Sequence, residues 1–441
     1  MLNIIKSEFY KHYMVSLKNA LIGSLFFLII HLFANVEFIR KHAEDFSFDV
    51  TNVFFNYFND IKYNVPNVKV FVVDDKYLKA ENLLNQYNEA TYGYTFPRDK
   101  IAQFIQKLDQ HIKIINEIPK VLFIDYDMTY ATTNYNINLS NEDQQLINVL
   151  KQPRDYIIIF PKTNNQNFIE NLEDPVIQDL IKNKKIIFSS VGLTISEDDI
   201  NRRYHPFREF DNQKYINAPI TIFNMFYQPL KIENLNNQNV IENRIIFKNY
   251  RNIKSNIFFN FYQSEWDNLN KYSANVPLNM IINEDFKDSI IFFGGTFAKD
   301  DIFKNNSLIG ISDFNGIDIQ ANALMTLFYL EGTLKNINII LGVIIVFLTF
   351  FFVDLFIEVI FGRTNLKFNE YIKFFILLIF SGVILLIISN YILVEHNLWF
   401  NWIIPFIVFQ VIEFTNIFKN KMYLKLFVIF CLIILLFILF F

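Results

Sequence analysis

Apolar residues are concentrated at the two ends of this 441-residue chain, and that distribution limits what the chain can fold into. One apolar run covers residues 19–38. Four more follow a long stretch of mixed composition, at residues 337–361, 371–394, 398–418 and 422–441. Each has roughly 20 residues, the length that a helix needs to cross a bilayer. We therefore expect an all-α transmembrane region that carries one globular domain at residues 39–335.

Basic residues beside these runs predict the orientation of the chain, because basic loops stay in the cytoplasm. Lys6, Lys11 and Lys18 lie within residues 1–18, before the first run. If every run spans the membrane, residues 1–18 lie on the same side of it as two basic turns. These turns contain Arg363, Lys367, Lys373, Lys419, Lys421 and Lys425. We expect a multi-pass membrane protein with a cytoplasmic N-terminus and with residues 39–335 outside the cytoplasm.

Charge and cysteine content exclude several classes of function. The net charge of −4 argues against a nucleic-acid partner. The single cysteine, Cys431, lies in the last apolar run, so the globular domain has no disulfide. The six histidines are scattered, and no phosphate-binding or dinucleotide-binding glycine motif occurs. We expect no cofactor and no bound metal of the histidine–cysteine type.

Short apolar strands alternate with helical patterns between residues 68 and 331, which predicts an α/β domain with a mostly parallel sheet and flanking helices. The predicted strands are at residues 68–73, 120–124, 156–160, 186–189 and 290–293. The predicted helices are at residues 76–87, 98–115, 141–150, 176–184 and 318–331. We expect residues 39–66 to form an amphipathic helix, and residues 201–288 to add helices and a covering subdomain.

Carboxylates follow two of the predicted strands, Asp74 and Asp75 after the first and Asp125 and Asp127 after the second. Ligands bind outside the carboxyl ends of the strands in open parallel sheets, so these residues are candidate ligand-binding residues, for Mg²⁺ or Ca²⁺ among others. The alternative is that they cap helices and pair with arginines, which fixes the turns.

Three arginines are candidate anion ligands or partners of those carboxylates. Arg98 follows Pro97 at a predicted helix start, and pairing with Asp75 is the favoured interpretation. Arg202 and Arg203 are the other two, and a solvated charged loop is the alternative for them.

The strand ending in Asp125-Tyr126-Asp127-Met128-Thr129 also resembles the nucleophile motif of haloacid-dehalogenase-type phosphohydrolases. In that hypothesis Asp125 would attack phosphorus and Asp127 would act as the acid and base. However, a βα unit precedes the motif, whereas it should open such a catalytic core. We therefore expect a protein that is not an enzyme.

Three acidic residues lie within the later apolar runs, namely Asp354, Glu358 and Glu413. Ionisable groups inside a membrane are functional candidates by default, and here they are candidates for docking a basic helix of a partner. The alternative is pairing with nearby basic residues at the cytoplasmic interface.

Six stretches resemble, in order, the CHASE2 family, an extracytoplasmic sensory module of bacterial membrane receptors. They are VKVFVVDDKYL (68–78), YTFPRDKIAQFIQKL (94–108), VLFIDYDMTY (121–130), VGLTISEDDINRRYHPF (191–207), IIFFGGTFAKDDIF (290–303) and NGIDIQANALMTLFYLEGTL (315–334). The chain departs from the family pattern at Phe96, at Ile200 and Asn201, and at Gln320. The resemblance implies a bacterial cytoplasmic (inner) membrane, one helix before the domain and usually three after it.

Members of this family usually continue into a kinase, cyclase or similar output domain, whereas residues 422–441 here form a further apolar run. The resemblance therefore implies a sensor or assembly subunit that passes a signal through its membrane helices to an unidentified membrane or cytoplasmic signalling protein. A small molecule or protein outside the cytoplasm is the expected stimulus, and a second copy of the chain is a candidate partner. The alternatives are a scaffold subunit of a cell-envelope complex and a periplasmic phosphohydrolase that uses Asp125.

Overall fold

A computed structural model describes residues 2–33, 43–52, 66–92, 95–132, 139–195, 201–227, 230, 244–245, 269–275, 278, 286–297, 302–307, 310–363 and 370–417. The chain divides into two compact units. Residues 1–55 and 334–441 form the helical unit, and residues 56–333 form the outer unit.

The described secondary structure is as follows, in chain order. The helices are α1 (Leu2–Phe33), α2 (residues 43–52), α3 (Asp75–Ala80), α4 (Arg98–Ile115), α5 (Asn141–Leu150), α6 (Pro175–Lys182), α7 (Ala218–Phe226), α8 (Gly316–Tyr329), α9 (Ile339–Arg363), α10 (Glu370–His396) and α11 (Ile403–Ile417). The strands are β1 (Val68–Val73), β2 (Val121–Asp125), β3 (Ile157–Pro161), β4 (Ile186–Ser189), β5 (Leu193–Ile195), β6 (Asn201–Tyr204), β7 (Phe207–Phe210), β8 (Gln213–Ile216), β9 (Leu269–Ser273), β10 (Ile290–Gly295), β11 (Ile302–Ser307), β12 (Gly310–Asn315), β13 (Lys335–Asn336) and β14 (Leu398–Trp399).

A six-stranded parallel sheet forms the centre of the outer unit, with the order β4-β3-β2-β10-β1-β9. The predicted α/β fold with a mostly parallel sheet is therefore confirmed. All five predicted strands occur, each within two residues of its expected bounds. The edge strand β9 was not predicted, because its sequence LNKYS lacks an apolar run.

Helices cover both faces of this sheet. On one face, α4, α5 and α6 bury apolar side chains against alternate strand residues such as Phe71, Ile124 and Phe293. On the other face, α8 packs against β10, and the side chain of Ile317 lies over Gly294. Helix α7 packs against α8, where Phe223 and Phe328 are 5.5 Å apart between ring centroids. The core therefore consists of two layers of side chains, one on each side of the sheet.

Between β4 and β9 the sequence prediction was partly wrong. Residues 201–288 were expected to add helices, but their described part contains β6, the hairpin β7–β8 and β9 beside the single helix α7. Strand β6 pairs antiparallel with β5, and β11 pairs antiparallel with β12. Their aromatic and asparagine-rich sequences mask the alternation that usually reveals half-buried strands.

The helical unit contains the apolar segments. By length and composition alone, two of its helices can cross a membrane, at Ile339–Phe356 in α9 and Phe375–His396 in α10. Shorter apolar stretches occupy Tyr13–Ile29 in α1 and Ile403–Ile412 in α11. Helix α11 begins five residues after the predicted run, because Leu398 and Trp399 pair as a strand with Lys335 and Asn336. The predicted run at residues 422–441 lies outside the described residues.

Within residues 39–66, where a helix was expected, residues 43–52 are helical. This helix is buried on nearly all sides, however, and Phe46 is the one clearly exposed side chain in that stretch. An amphipathic helix would instead bury one face. Residues 39–42 and 53–65 of the expected helix lie outside the described part, and Pro66 is not helical.

Candidate functional site

The carboxyl ends of the parallel strands meet at one edge of the sheet, as expected. Gly294 of β10 pairs with Asp125 of β2, and Gly295 pairs with Val73 of β1. Asp74 and Asp125 therefore lie on opposite sides of β10, about 10 Å apart at two strand spacings. The two glycines occupy the gap, and the carboxylates are not adjacent.

Asp74 performs a capping role. Its Oδ1 accepts hydrogen bonds from the Tyr77 amide at 2.9 Å, at the start of α3, and from the Ser273 hydroxyl at 2.7 Å. The second bond ties the edge strand β9 to the turn after β1. Asp75 is exposed in the first turn of α3, where a negative charge suits the helix dipole. Asp74 therefore caps α3, and Asp75 lies within the first turn of the same helix.

Asp127 holds two loops together. Its Oδ1 accepts from the Thr129 amide at 2.9 Å, from the Thr129 hydroxyl at 2.7 Å and from the Thr163 hydroxyl at 2.8 Å. Thr163 belongs to the loop after β3, so the carboxylate joins the ends of β2 and β3. The phosphohydrolase hypothesis requires this carboxylate as the acid and base, whereas its Oδ1 already accepts these three hydrogen bonds.

Asp125 itself is half-buried at the end of β2, beside Gly294. Within the described ranges, no three His, Cys, Asp or Glu side chains lie close enough together to hold a metal ion.

Arg98 lies beneath the loop that follows β2. The side chain is fully buried, and its Nη2 donates to the carbonyl oxygen of Asp127 at 2.6 Å and, more distantly, to that of Tyr130 at 3.4 Å. The guanidinium also lies over the Phe168 ring, 5.6 Å from its centroid. The expected pairing with Asp75 is not among its contacts, since backbone carbonyls and an aromatic ring surround it instead.

Burial lowers the pKa of Arg98 to about 10, and the nearby carboxylates of Asp143, Asp127 and Glu142 oppose that shift. Arg98 therefore remains a buried cation at neutral pH. Its positive charge compensates the negative charge of these carboxylates, and its N–H groups donate hydrogen bonds to the carbonyl oxygens of the loop.

Asp143 is a residue that the sequence reasoning missed. It is fully buried at the start of α5 and accepts from the amide and hydroxyl of Thr132, at 3.0 and 2.9 Å, and from those of Ser140, at 3.2 and 2.8 Å. The Ser140–Asp143 pair is a capping box, and the spacing of a serine three residues before an acid was the signal that could have revealed it. The neighbouring Glu142 has a pKa raised by burial and by Asp99.

A second missed cluster lies after β3. Lys162 is almost fully buried and forms an ion pair with Glu170, while its Nζ also donates to the Asn165 carbonyl at 3.0 Å. The hydroxyl of Tyr215, in β8, donates to Glu170 at 3.0 Å. Burial, followed by this hydrogen bond, raises the pKa of Tyr215 to about 12. The cluster fastens the hairpin β7–β8 to the sheet.

A partly buried ion pair joins β9 to α8. Lys271 Nζ lies 2.6 and 2.8 Å from the two carboxylate oxygens of Asp318, and Asn315 donates to the same carboxylate at 3.3 Å. No sequence signal identifies Lys271 as the partner, because the two residues are far apart in the chain.

The remaining candidate arginines belong to another sheet. Arg203 is buried in β6, and its backbone is bridged to Arg244. Strand β6 pairs with β5 in a separate two-stranded sheet. It is therefore not part of the six-stranded sheet whose strand ends contain the candidate carboxylates. The side chain of Arg202 lies outside the described part of the structure.

In the helical unit, Asp354 is buried and accepts a hydrogen bond from the Asn19 side chain of α1 at 3.2 Å. Asp354 thus contacts another helix of the same chain. Glu358 and Glu413 lie in α9 and α11, and their side chains are outside the described residues. Their role as docking residues stays a prediction.

Comparison with protein-family models matches residues 24–353 to the CHASE2 domain. No curated protein matches the chain, and no solved structure matches it. The matched region includes the whole outer unit together with parts of α1 and α9. Since it covers well over half of the sequence, the chain belongs to the CHASE2 domain family.

Proposed function

We propose that this protein is a membrane-anchored extracytoplasmic sensor or assembly subunit, and that its membrane helices pass a signal to a partner protein. The CHASE2 family is a family of extracytoplasmic sensory domains. The apolar helices α9 and α10 and the basic residues beside them support a multi-pass protein of the bacterial inner membrane, with a cytoplasmic N-terminus.

The packing of α1 against α9 is the observation that carries the signalling part of the proposal. These helices precede and follow the outer unit in the chain. Asn19 contacts Asp354, Gly23 lies against Phe350, and Phe27 lies against Gly342. Residue numbers rise along α1 as they fall along α9, so the helices run antiparallel.

Close contact makes the position of each of these two helices depend on the other. A Cβ on Gly23 would lie 2.3 Å from the Phe350 ring, so the backbone of α1 approaches α9 at that point with no room to spare. Small residues at helix contacts and hydrogen bonds between helices stabilise such packing in membranes. A shift of one helix therefore requires a response from the other.

Membrane topology is the first test of this proposal. Cysteine is placed at Gln86, which is exposed in the outer unit, or at Lys367, between α9 and α10, in a Cys431→Ser background. We expect a membrane-impermeant maleimide to label the first variant in intact cells and the second only after permeabilisation. Labelling of both variants in intact cells, or of neither, contradicts the proposed orientation.

The signalling step needs a partner and a matched pair of variants. A photocrosslinker at Glu358 is expected to capture a membrane protein that carries a cytoplasmic catalytic domain. Asn19→Leu removes the hydrogen bond to Asp354 and should change that partner's activity, whereas Leu25→Ala, at an exposed position of α1, should not. If no such partner is captured, or if both variants behave alike, the signalling proposal is wrong.

One observation favours the scaffold alternative. Asp74, Asp127 and Arg98, which were the candidate ligand-binding residues, are all engaged in contacts that hold loops and helix starts together. A domain built in this way suits docking to another protein better than capture of a small anion. Loss of a cell-envelope complex on deletion, without any response to a stimulus, would support that function.

A further inference from the structure

The turn between α10 and α11, residues 397–402, contacts both chain segments that connect the helical unit with the outer unit. The leading segment is α2, which comes after α1 and before the outer unit. The returning segment is β13, which comes after the outer unit and before α9. The turn and both segments lie within the helical unit.

The returning segment is joined to the turn by strand pairing. Lys335 pairs with Leu398 and Asn336 pairs with Trp399 in a short parallel ladder. The amide of Ile337 donates to the Trp399 carbonyl at 3.0 Å, and the amide of Lys335 donates to the Asn397 carbonyl at 3.4 Å. The start of α9 is therefore fixed to the turn through its backbone.

The leading segment is joined to the same turn through side chains. Trp402 Nε1 donates to the Thr51 hydroxyl at 3.1 Å, and that hydroxyl donates to the Ser47 carbonyl at 2.9 Å. The Trp399 and Phe48 rings meet edge to face, with centroids 5.2 Å apart. Both tryptophans are buried, so water does not compete for these contacts.

Hydrogen bonds also connect this turn to α10 and α11, the helices on its two sides. The Ser389 hydroxyl of α10 donates to the Phe400 carbonyl at 2.8 Å. The Asn401 side chain accepts from the Ile403 amide at 3.2 Å and so caps α11. A displacement of the turn therefore reaches α10 and α11.

We propose that residues 397–402 form a coupling element, which makes the leading and returning segments respond together and carries their movement into α10 and α11. The proposal rests on the sensory function proposed above and extends it. Neither α10 nor α11 is continuous with the outer unit, yet both become output helices through this turn. Signals would then leave through four helices and not only through α1 and α9.

Hydrogen exchange on the full-length chain in lipid nanodiscs tests this coupling. Thr51→Val keeps the shape of the side chain but removes both the acceptor for Trp402 and the donor to the Ser47 carbonyl. We expect exchange at least about fivefold faster in residues 43–52, because the loss of one net hydrogen bond alone has about that effect. If the turn couples the two segments, the amides of residues 335–337 must also exchange faster, although the substitution does not touch them.

Ser24→Ala is the matched control, because the Ser24 hydroxyl is buried in the same unit and has no hydrogen-bond partner within the described ranges. It should leave both segments unchanged. Trp402→Phe removes the donor of the same hydrogen bond. It is used in place of Thr51→Val if that variant fails to fold.

Faster exchange confined to residues 43–52, in whichever variant folds, overturns the coupling. Neither a stimulus nor a partner is needed for this measurement. Failure of the partner crosslinks would therefore overturn the sensory proposal and leave the exchange result intact, so the two failures remain distinguishable.

Discussion

Gly294 lies at a crowded position near the carboxyl ends of the strands, and its replacement by alanine should destabilise the outer unit. A Cβ at this position would lie 2.6 Å from Cδ1 of Ile317 and 3.0 Å from Cβ of Asp125. Ile317 is fully buried, so its side chain has no free space to move into. Overpacking of this kind costs about 1–3 kcal/mol, and the reduced freedom of the unfolded chain offsets about 0.4–1 kcal/mol of that cost.

Gly295 provides a control at the next position of the same strand. A Cβ there would come no closer than 3.6 Å to the Tyr126 hydroxyl, which is ordinary contact. Gly295→Ala should therefore leave the stability unchanged or raise it by up to about 1 kcal/mol. The two substitutions share their chemistry and differ in the space around the new methyl group.

Thermal unfolding of the outer unit in the full-length protein measures this difference. Unfolding entropy of about 2.1 cal/mol/K per residue, over a unit of this size, converts each kcal/mol into a shift of roughly 2 °C. We expect the Tm of Gly294→Ala to lie about 2–6 °C below that of Gly295→Ala. Equal Tm values for the two variants would refute the close approach of α8 and β2 to Gly294.

Two further perturbations concern buried charge. Asp318→Asn removes the carboxylate that pairs with the partly buried Lys271 and should destabilise the outer unit by about 1–3 kcal/mol. Asp318→Leu combined with Lys271→Met should cost less. Urea unfolding that ranks the double variant as less stable than the single variant would contradict this. Burial lowers the pKa of His111, so the neutral form stabilises the fold above about pH 6.5, and that stability is lost as the pH falls through the lower folded-state pKa. His111→Phe should reduce the loss of Tm between pH 7 and pH 5, and an unchanged pH profile would exclude this residue as a cause.

Much of the outer unit could be predicted because its strands are short, apolar and fully buried. Strand β1 and helices α4 and α5 have the bounds that their sequences predicted, since apolar periodicity and clear helix starts coincide there. Strand β9 could not be predicted, because an edge strand needs few apolar residues, and Lys271 and Tyr272 gain their partners only from distant segments.

The candidate site was predicted in position but not in chemistry. Sequence reasoning placed Asp74, Asp125 and Asp127 at strand ends and Arg98 at a helix start, which is where they lie. It could not show that Arg98 donates to backbone carbonyls, because the path of the loop after β2 decides which groups face the guanidinium. Spacing along the chain contains no information about that path.

The sheet order has a consequence for how the protein is made. Strand β10 lies between β1 and β2, yet it is synthesised long after both of them. Until Ile290–Gly295 emerges, β1 and the strands β2, β3 and β4 have no hydrogen-bonded connection and expose two unpaired, apolar edges. The outer unit therefore cannot complete its sheet progressively from the N-terminus, and a chain stopped before residue 290 should require chaperones. Insertion of this one strand closes the sheet late, with long-range contacts that make folding slow.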